Sequence, residues 1–309
     1  MKLAFVYAGQ GSQHAGMGAD LYEAYPTFRE VLDRADAAVD FDLKKLCFEG
    51  PEEQLSQTRY TQPCMVAFAA GVTRVLADAG ITPCMAAGLS LGEYSALYAA
   101  GVFDEQTVIP LAAYRGRAME EAAKGLECGM SAVLGLAREP LQEACDEASS
   151  LGLCEIANYN CPGQLVIAGE AAAVEKASAL ALEKGAKRCI PLKVSGPFHT
   201  SLMAPAGKAL EEKFASVSFS PMRFPVLFNT VGRPLEEGET VPGMLVRQVQ
   251  SSVRFEDTIR FMESAGVDTI LEVGPGKALS GFVRKTAKGI RSLVVEDVPT
   301  LLSAIEQLK

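Results

Sequence analysis

The sequence predicts an α/β protein in two parts: an open, mostly parallel sheet and, inserted into it, a smaller β-α-β-β-α-β unit. Three observations carry this. LAFVYAG at 3–9 is a short apolar run that ends in the loop Gly9-Gln10-Gly11-Ser12-Gln13, as a buried strand feeding a glycine-rich connection does. CMAAGLSLGEYSALYAAG at 84–101 joins a small-residue strand to a helix through a Gly-Leu-Ser-Leu-Gly turn, and Gly101 closes the helix. From 129 to 196 the order changes to a strand (GMSAVLGL), a helix (REPLQEACDEASSLG), two strands (LCEIANYN and QLVIAGE) joined by Cys-Pro-Gly, a helix over 171–184 and a last strand (RCIPLKVSG).

That last succession is the ferredoxin-like order. It divides the chain into a discontinuous large domain, 1–126 with 197–309, and a small subdomain, 127–196, with a ligand cleft expected between them. Further helices are predicted over 27–39 and 63–79, the second with Pro63 in its first turn and Gly80 as its cap.

At 309 residues, 49% hydrophobic and 22% charged, the chain can bury a large core. No apolar run reaches the length of a membrane span. The opening MKLAFVYAGQGSQ has neither the charged start nor the long apolar run of a signal peptide, so a cytoplasmic location is expected. A net charge of −9 argues against a nucleic-acid partner, because neutralising phosphates takes a concentrated basic surface. The eight cysteines are scattered, without a C-x-x-C pair, and predict neither a metal site nor a disulfide framework.

The turn at 88–92 has the pattern G-x-S-x-G between a strand and a helix, the context in which a serine hydroxyl is exposed on a strained corner. Ser90 is the expected nucleophile, and the N–H of Leu91, at the helix start, faces an incoming oxyanion. The competing assignment makes Ser90 a helix N-cap and Glu93 the other half of a capping box. A serine nucleophile needs a base, and there are two histidines. His14 lies in a polar glycine-rich loop; His199 lies in Ser195-Gly196-Pro197-Phe198-His199, where the subdomain rejoins the large domain, and is the expected base. Over 107–123 the helical period gathers Val108, Leu111, Ala112, Arg115, Met119 and Ala122 on one face. An arginine inside an apolar stripe must meet an anion or several acceptors. Its partner is either an internal carboxylate or the carboxylate of a substrate.

With these residues in view, the sequence resembles the malonyl-CoA:acyl-carrier-protein transacylase family over its whole length. The resemblance runs through Gly9-Gln10-Gly11-Ser12-Gln13, Gly88 to Leu97, Tyr114-Arg115-Gly116 with Met119, Asn158 to Gln164, Pro197-Phe198-His199, the Gln248 region and Glu272 to Lys277. It implies a hydrolase-like core with a ferredoxin-like insert. It further implies Ser90 as the acylated residue, His199 as base, and the N–H groups of Gln10 and Leu91 as oxyanion hole. Arg115 would bind the malonyl carboxylate, and the carbonyl of Gln248 would orient His199. Phe198 resembles the malonyl-selective form of its motif, and Asn160 falls in a matching segment as a substrate-binding candidate.

The implied reaction is ping-pong transfer from malonyl-CoA to the phosphopantetheine thiol of an acyl carrier protein. No metal or cofactor of the enzyme's own is implied, and a monomer is expected. A serine thioesterase or esterase, or a weakened scaffold paralogue, is the alternative. Two positions depart from the family: Leu89, where a histidine is usual, and Ala8, where a proline is usual. Gly274-Pro275-Gly276-Lys277 is not a phosphate loop, since Leu271 stands where the first glycine belongs and no Ser or Thr follows the lysine. Lys187, Arg188, Lys193, Arg284 and Lys285 are the expected cations for an acidic carrier.

Overall fold

A computed structural model describes all 309 residues. The chain begins with β1 (Leu3–Tyr7), followed by the helices α1 (Ala19–Ala24), α2 (Pro26–Ala37), α3 (Leu43–Glu49), α4 (Glu52–Leu55) and α5 (Thr58–Asp78). β2 (Met85–Gly88), α6 (Gly92–Ala99) and α7 (Glu105–Ala123) come next. The inserted unit is β3 (Cys128–Leu134), α8 (Arg138–Ala148), β4 (Cys154–Cys161), β5 (Gln164–Glu170), α9 (Ala171–Glu183) and β6 (Arg188–Pro191). The return comprises α10 (Ala204–Phe214), α11 (Val241–Gln248), α12 (Phe255–Ser264), β7 (Thr269–Val273), α13 (Ala278–Thr286), β8 (Arg291–Val295) and α14 (Val298–Leu308).

The large sheet has the order β2-β1-β7-β8, all parallel. Segment 225–227 pairs with Ala86 on the outer side of β2. All five residues of β1 are buried: Phe5 and Tyr7 enter one core, Ala4 and Val6 the other. Helices on both faces remove the polar side a half-exposed strand would need, which is why LAFVY does not alternate. At the end of β7 the buried Glu272 accepts the N–H groups of Leu279 and Ser280 (3.0 and 2.7 Å). Those donors of the first turn of α13 are thereby taken up within the protein.

The small sheet is antiparallel, in the order β4-β5-β3-β6. Its strand order and β-α-β-β-α-β succession are those expected from the sequence, and together the two sheets make the predicted α/β class. The insert is bonded to the large part rather than hung from it. Tyr159 N–H donates to Val253 O and Val253 N–H to Ala157 O, both at 2.8 Å. Arg138 pairs with Asp257 (2.7 Å) and Glu256 (3.1 Å) and stacks with its guanidinium 4.7 Å from the Tyr159 ring.

Two boundaries differ from expectation. α5 begins at Thr58, five residues ahead of Pro63. Proline withholds one N–H from the helix, but Thr58 is fully buried and its hydroxyl is engaged by Gln10 and Ser195, which holds the extra turn. β6 stops at Pro191, and 192–195 are an exposed connection in place of the end of the predicted strand. No helix is long and apolar enough to cross a membrane.

Candidate active site

Ser90 and His199 are the two non-glycine residues with positive φ, 53° and 63°. Left-handed backbone costs a side-chain-bearing residue on the order of 1–3 kcal/mol, so a chain holds it only where the surroundings fix it. At Ser90 the surroundings are glycines. A Cβ on Gly88 would lie 1.9 Å from the Gly92 carbonyl carbon, and one on Gly92 would lie 2.2 Å from Tyr7 O. The turn is therefore closed on itself and pressed onto β1. α6, which follows, is buried along its whole length and has no side-chain N-cap. The capping-box assignment fails here: Ser90 Oγ is instead 2.7 Å from His199 Nε2, and the Glu93 carboxylate accepts from Asn229 N–H at 2.6 Å.

His199 is held at its other nitrogen by Gln248 O, 2.8 Å from Nδ1. Gln248 is the last residue of α11, and the final carbonyls of a helix have no partner inside it. This one is free to accept, so Nδ1 carries the proton and Nε2 presents a lone pair to the serine. His199 N–H donates to Val249 O (3.2 Å), tying the histidine backbone to the same helix end. Burial first, and the charge of Arg115 second, push the imidazole down to about 4. His14, by contrast, is exposed and bonds only its neighbour's carbonyl.

Arg115 has no accessible surface. Its Nη2 donates to Gln248 Oε1 (2.9 Å) and Ser90 Oγ (3.2 Å), while Nε and Nη1 have no partner. Its guanidinium lies 5.4 Å from the Tyr94 ring centre. No carboxylate forms an ion pair with it, although Glu93, also without accessible surface, is close enough to feel its charge. Burial raises the Glu93 carboxyl to about 8, against the opposing pull of Asn229, Gln248 and Arg115. The sequence left an internal carboxylate and a substrate carboxylate open as partners; the internal ion pair is absent.

The Gln248 side chain joins these parts, since its Nε2 donates to Ser90 O at 2.9 Å while its Oε1 takes Arg115. Gln10 is fixed through Nε2 to Thr58 Oγ1 (3.0 Å), and neither its backbone N–H nor that of Leu91 donates a hydrogen bond within the chain. Phe198 is buried against Gly196. Asn160 is buried in β4, with Oδ1 unpartnered, and makes no hydrogen bond to the serine, histidine or arginine.

The two departures have local accounts. Ala8 donates its N–H to Val273 O at 3.0 Å, a ladder bond that proline could not make. Leu89 packs its side chain into the core on the α12–α13 side of the sheet and makes only backbone hydrogen bonds. Asn229 and the burial of Glu93 escaped the sequence reading. Glu93 did carry a signal, as a charge inside an otherwise apolar helix; Asn229 carried none.

A serine on a strand–turn–helix corner, bonded to a histidine whose tautomer is fixed, over a parallel sheet, defines an α/β protein of the acyl-transferring class. The sequence pattern of the acyl transferase domain matches residues 4–303, and the chain belongs to that family. It is 42% identical over 309 residues to the malonyl CoA-acyl carrier protein transacylase of Bacillus subtilis, covering 100% of this chain and 98% of that protein. The Escherichia coli K12 protein of the same name is 38% identical, with 99% of each covered. Among solved structures, the crystal structure of MCAT from Streptococcus pneumoniae superposes with a TM-score of 0.94 at 47% identity, covering 99% of this chain and 100% of that one. A malonyl-transacylase in complex with its type II PKS acyl-carrier protein gives 0.96 at 38% identity, with the same coverage.

Two outcomes test this geometry. With two histidines in the chain, the His199 ring resonance is readable by NMR and should titrate near pH 4; a midpoint at or above about 6.5, the ordinary value, contradicts the buried, Arg115-facing placement. Gly92→Ala should lower unfolding free energy in urea by about 2 kcal/mol or more, because its methyl meets the Tyr7 carbonyl. A loss under about 0.5 kcal/mol is the size of an uncrowded surface change and contradicts the close approach.

Proposed function

We propose that this protein transfers a malonyl group from malonyl-CoA to the phosphopantetheine thiol of an acyl carrier protein, through a malonyl ester on Ser90. The observation that carries the reading is Arg115: a buried guanidinium 3.2 Å from the serine oxygen, with two nitrogens unpartnered and no carboxylate paired to it. Such a charge costs several kcal/mol to leave uncompensated. An acyl group ending in a carboxylate, tethered to Ser90, supplies what is missing in the bidentate form that arginine suits.

In the first half-reaction His199 Nε2 takes the Ser90 proton as Oγ attacks the thioester carbonyl. The tetrahedral oxyanion is received by the N–H groups of Gln10 and Leu91, each worth roughly a hundred- to a thousand-fold in rate. The C–S bond breaks, His199 returns the proton to the CoA sulfur, and malonyl-Ser90 remains. In the second half the carrier thiol gives its proton to His199, attacks the ester and releases Ser90 with the proton restored. Both halves exchange one ester for another without redox change, so the chain's own groups suffice. Gln248 O stabilises the imidazolium at Nδ1 in each. Phe198 shapes the acyl end of the pocket, and Asn160, with its unpartnered amide oxygen, is assigned to substrate.

The relatives' names support the donor and acceptor, and the surface supports the carrier. Lys187, Arg188 and Lys193 are exposed and outside any ion pair, and Ile190, Leu192 and Val194 are exposed among them, at 43%, 37% and 39%. Cations interleaved with bare apolar side chains, on a chain of net charge −9, suit an acidic protein partner. Arg284 and Lys285 are exposed on α13. We further propose that 127–196 acts as a subdomain beside 1–126 and 197–309, and that the enzyme works as a cytoplasmic monomer.

Mixing the protein with malonyl-CoA should raise its intact mass by one malonyl group, and Ser90→Ala should abolish the adduct. Added carrier protein should then discharge it faster than water does; discharge to water at an unchanged rate would make the chain a thioesterase instead. Arg115→Ala should cut malonyl transfer by a factor of about a hundred or more while sparing acetyl transfer, because its charge is matched only by the malonyl carboxylate. An unchanged malonyl-to-acetyl ratio would remove Arg115 from the substrate site.

A further inference from the structure

Segment 225–227 lies on the outer side of β2 and bonds to it through Ala86: Ala86 N–H donates to Pro225 O (3.0 Å) and Leu227 N–H to Ala86 O (2.9 Å). Continued toward Ser90, a parallel ladder would include a bond from Asn229 N–H to Gly88 O and then one from Ser90 N–H to Asn229 O. The backbone of Asn229 makes neither bond. Its N–H goes to Glu93 Oε2 (2.6 Å) and its carbonyl accepts Arg254 N–H (2.8 Å). The side-chain amide makes both instead: Nδ2 donates to Gly88 O and Oδ1 accepts Ser90 N–H, each at 2.6 Å. A carboxamide has the same donor and acceptor as a peptide unit, so it stands in for both bonds while leaving β2 free to turn.

We propose that Asn229, seated by Glu93, is a positioning residue for acyl transfer: its amide clamps the nucleophile turn from Gly88 to Ser90 and holds Ser90 Oγ against His199 Nε2. The inference rests on the proposed acyl transfer and adds to it the residue that fixes the attacking atom. Asn229 has no accessible surface, and every polar group it owns is engaged. Without it, Gly88 O, which is buried, and Ser90 N–H, which is partly buried, would each lose a hydrogen-bond partner. On the N-terminal side, Leu89 donates its N–H to Tyr7 O and accepts Gly92 N–H at its carbonyl, both at 3.0 Å, but the Ser90 N–H itself has Asn229 as its partner; Gln248 and the Glu93 N–H hold the Ser90 carbonyl, at 2.9 and 3.1 Å. Arg115 is bonded through Ser90 Oγ and Gln248 rather than through Asn229, so loss of the clamp should blur attack geometry and leave carboxylate binding in place.

The test is single-turnover acylation by malonyl-CoA, followed by intact mass, on the full chain and two variants. Asn229→Ala should lower the acylation rate at saturation about thirtyfold or more, the scale of a misplaced nucleophile, with half-saturating malonyl-CoA changed by less than about threefold. Asn229→Asp supplies a signature that a merely structural residue would not. When protonated, aspartic acid reproduces both bonds, with O–H donating to Gly88 O and the carbonyl accepting from Ser90 N–H; when ionised, it cannot donate. The groups around it are the Glu93 carboxyl on α6, Arg115 beyond it on α7, His199, and Arg254 with Asp257, which pair with each other at 3.3 Å. Burial beside Glu93 favours the protonated form. The rate of Asn229→Asp relative to the unsubstituted enzyme should therefore rise about fivefold or more from pH 8 to pH 6.

A flat ratio overturns the clamp, as does Asn229→Ala acylating within about threefold of the unsubstituted enzyme, or losing rate and substrate affinity in equal measure. An unsubstituted enzyme that takes no malonyl group at all would instead overturn the proposed function, and this inference with it.

Discussion

A serine at a φ of 53° does not stay there by its own preference. The corner at 88–92 is held by three things: glycines that let it close on β1, the Asn229 amide bridging Gly88 and Ser90, and the Gln248 amide on the Ser90 carbonyl. Much of the surrounding sequence follows from this. After Met85, β2 is made of small residues, Ala-Ala-Gly, because α6 lies directly over it. Gly9 is small because Leu89 O would sit 2.5 Å from its Cβ. The second strained residue, His199, comes from a distant stretch of chain, and the two meet because the end of α11 offers a free carbonyl where the imidazole needs one.

Charge is organised around the same corner. Arg115 contributes a positive charge that no carboxylate neutralises, and this has two consequences. It adds to burial, the larger cause, in holding His199 neutral down to low pH, so that in neutral solution the imidazole is ready to accept a proton. It also leaves room in the electrostatics of the pocket for one negative charge from outside. Glu93 is near enough to have filled that role, but its carboxylate is turned to the Asn229 N–H, and burial keeps it from ionising readily. An occupied Arg115–Glu93 pair would have made the site indifferent to the end of its acyl group.

The inserted unit meets this corner through its connections. β4 is stitched to Val253, just ahead of α12, and the connection after β6 leads through the buried Gly196-Pro197-Phe198 into His199. His199 thus sits on the joint between the two parts. The exposed run from Lys187 to Val194 lies immediately before it, so a partner seated there would approach along the segment that carries the histidine.

Local rules made the elements legible: apolar runs, glycine stops, the change of period after residue 129 and the small-residue strand before Ser90 gave the α/β class and the order of the insert. The pattern around the serine and the scarcity of histidines picked out Ser90 and His199, and helical periodicity turned Arg115 inward. Helix α5 begins earlier than local preference predicts, because burial of Thr58 outweighs it, and strand β6 ends at Pro191, short of the predicted run. What only the tertiary structure decided is which partner each inward polar group found. Asn229 lies 139 residues from Ser90 and Gln248 lies 133 from Arg115, and these bonds depend on where separate strands and helices come to rest. No spacing in the chain encodes them. The sequence determined that a serine, a base and a buried cation exist; the fold determined that the cation has no internal counterion and that the serine is clamped, because those are properties of packing rather than of neighbours in the chain.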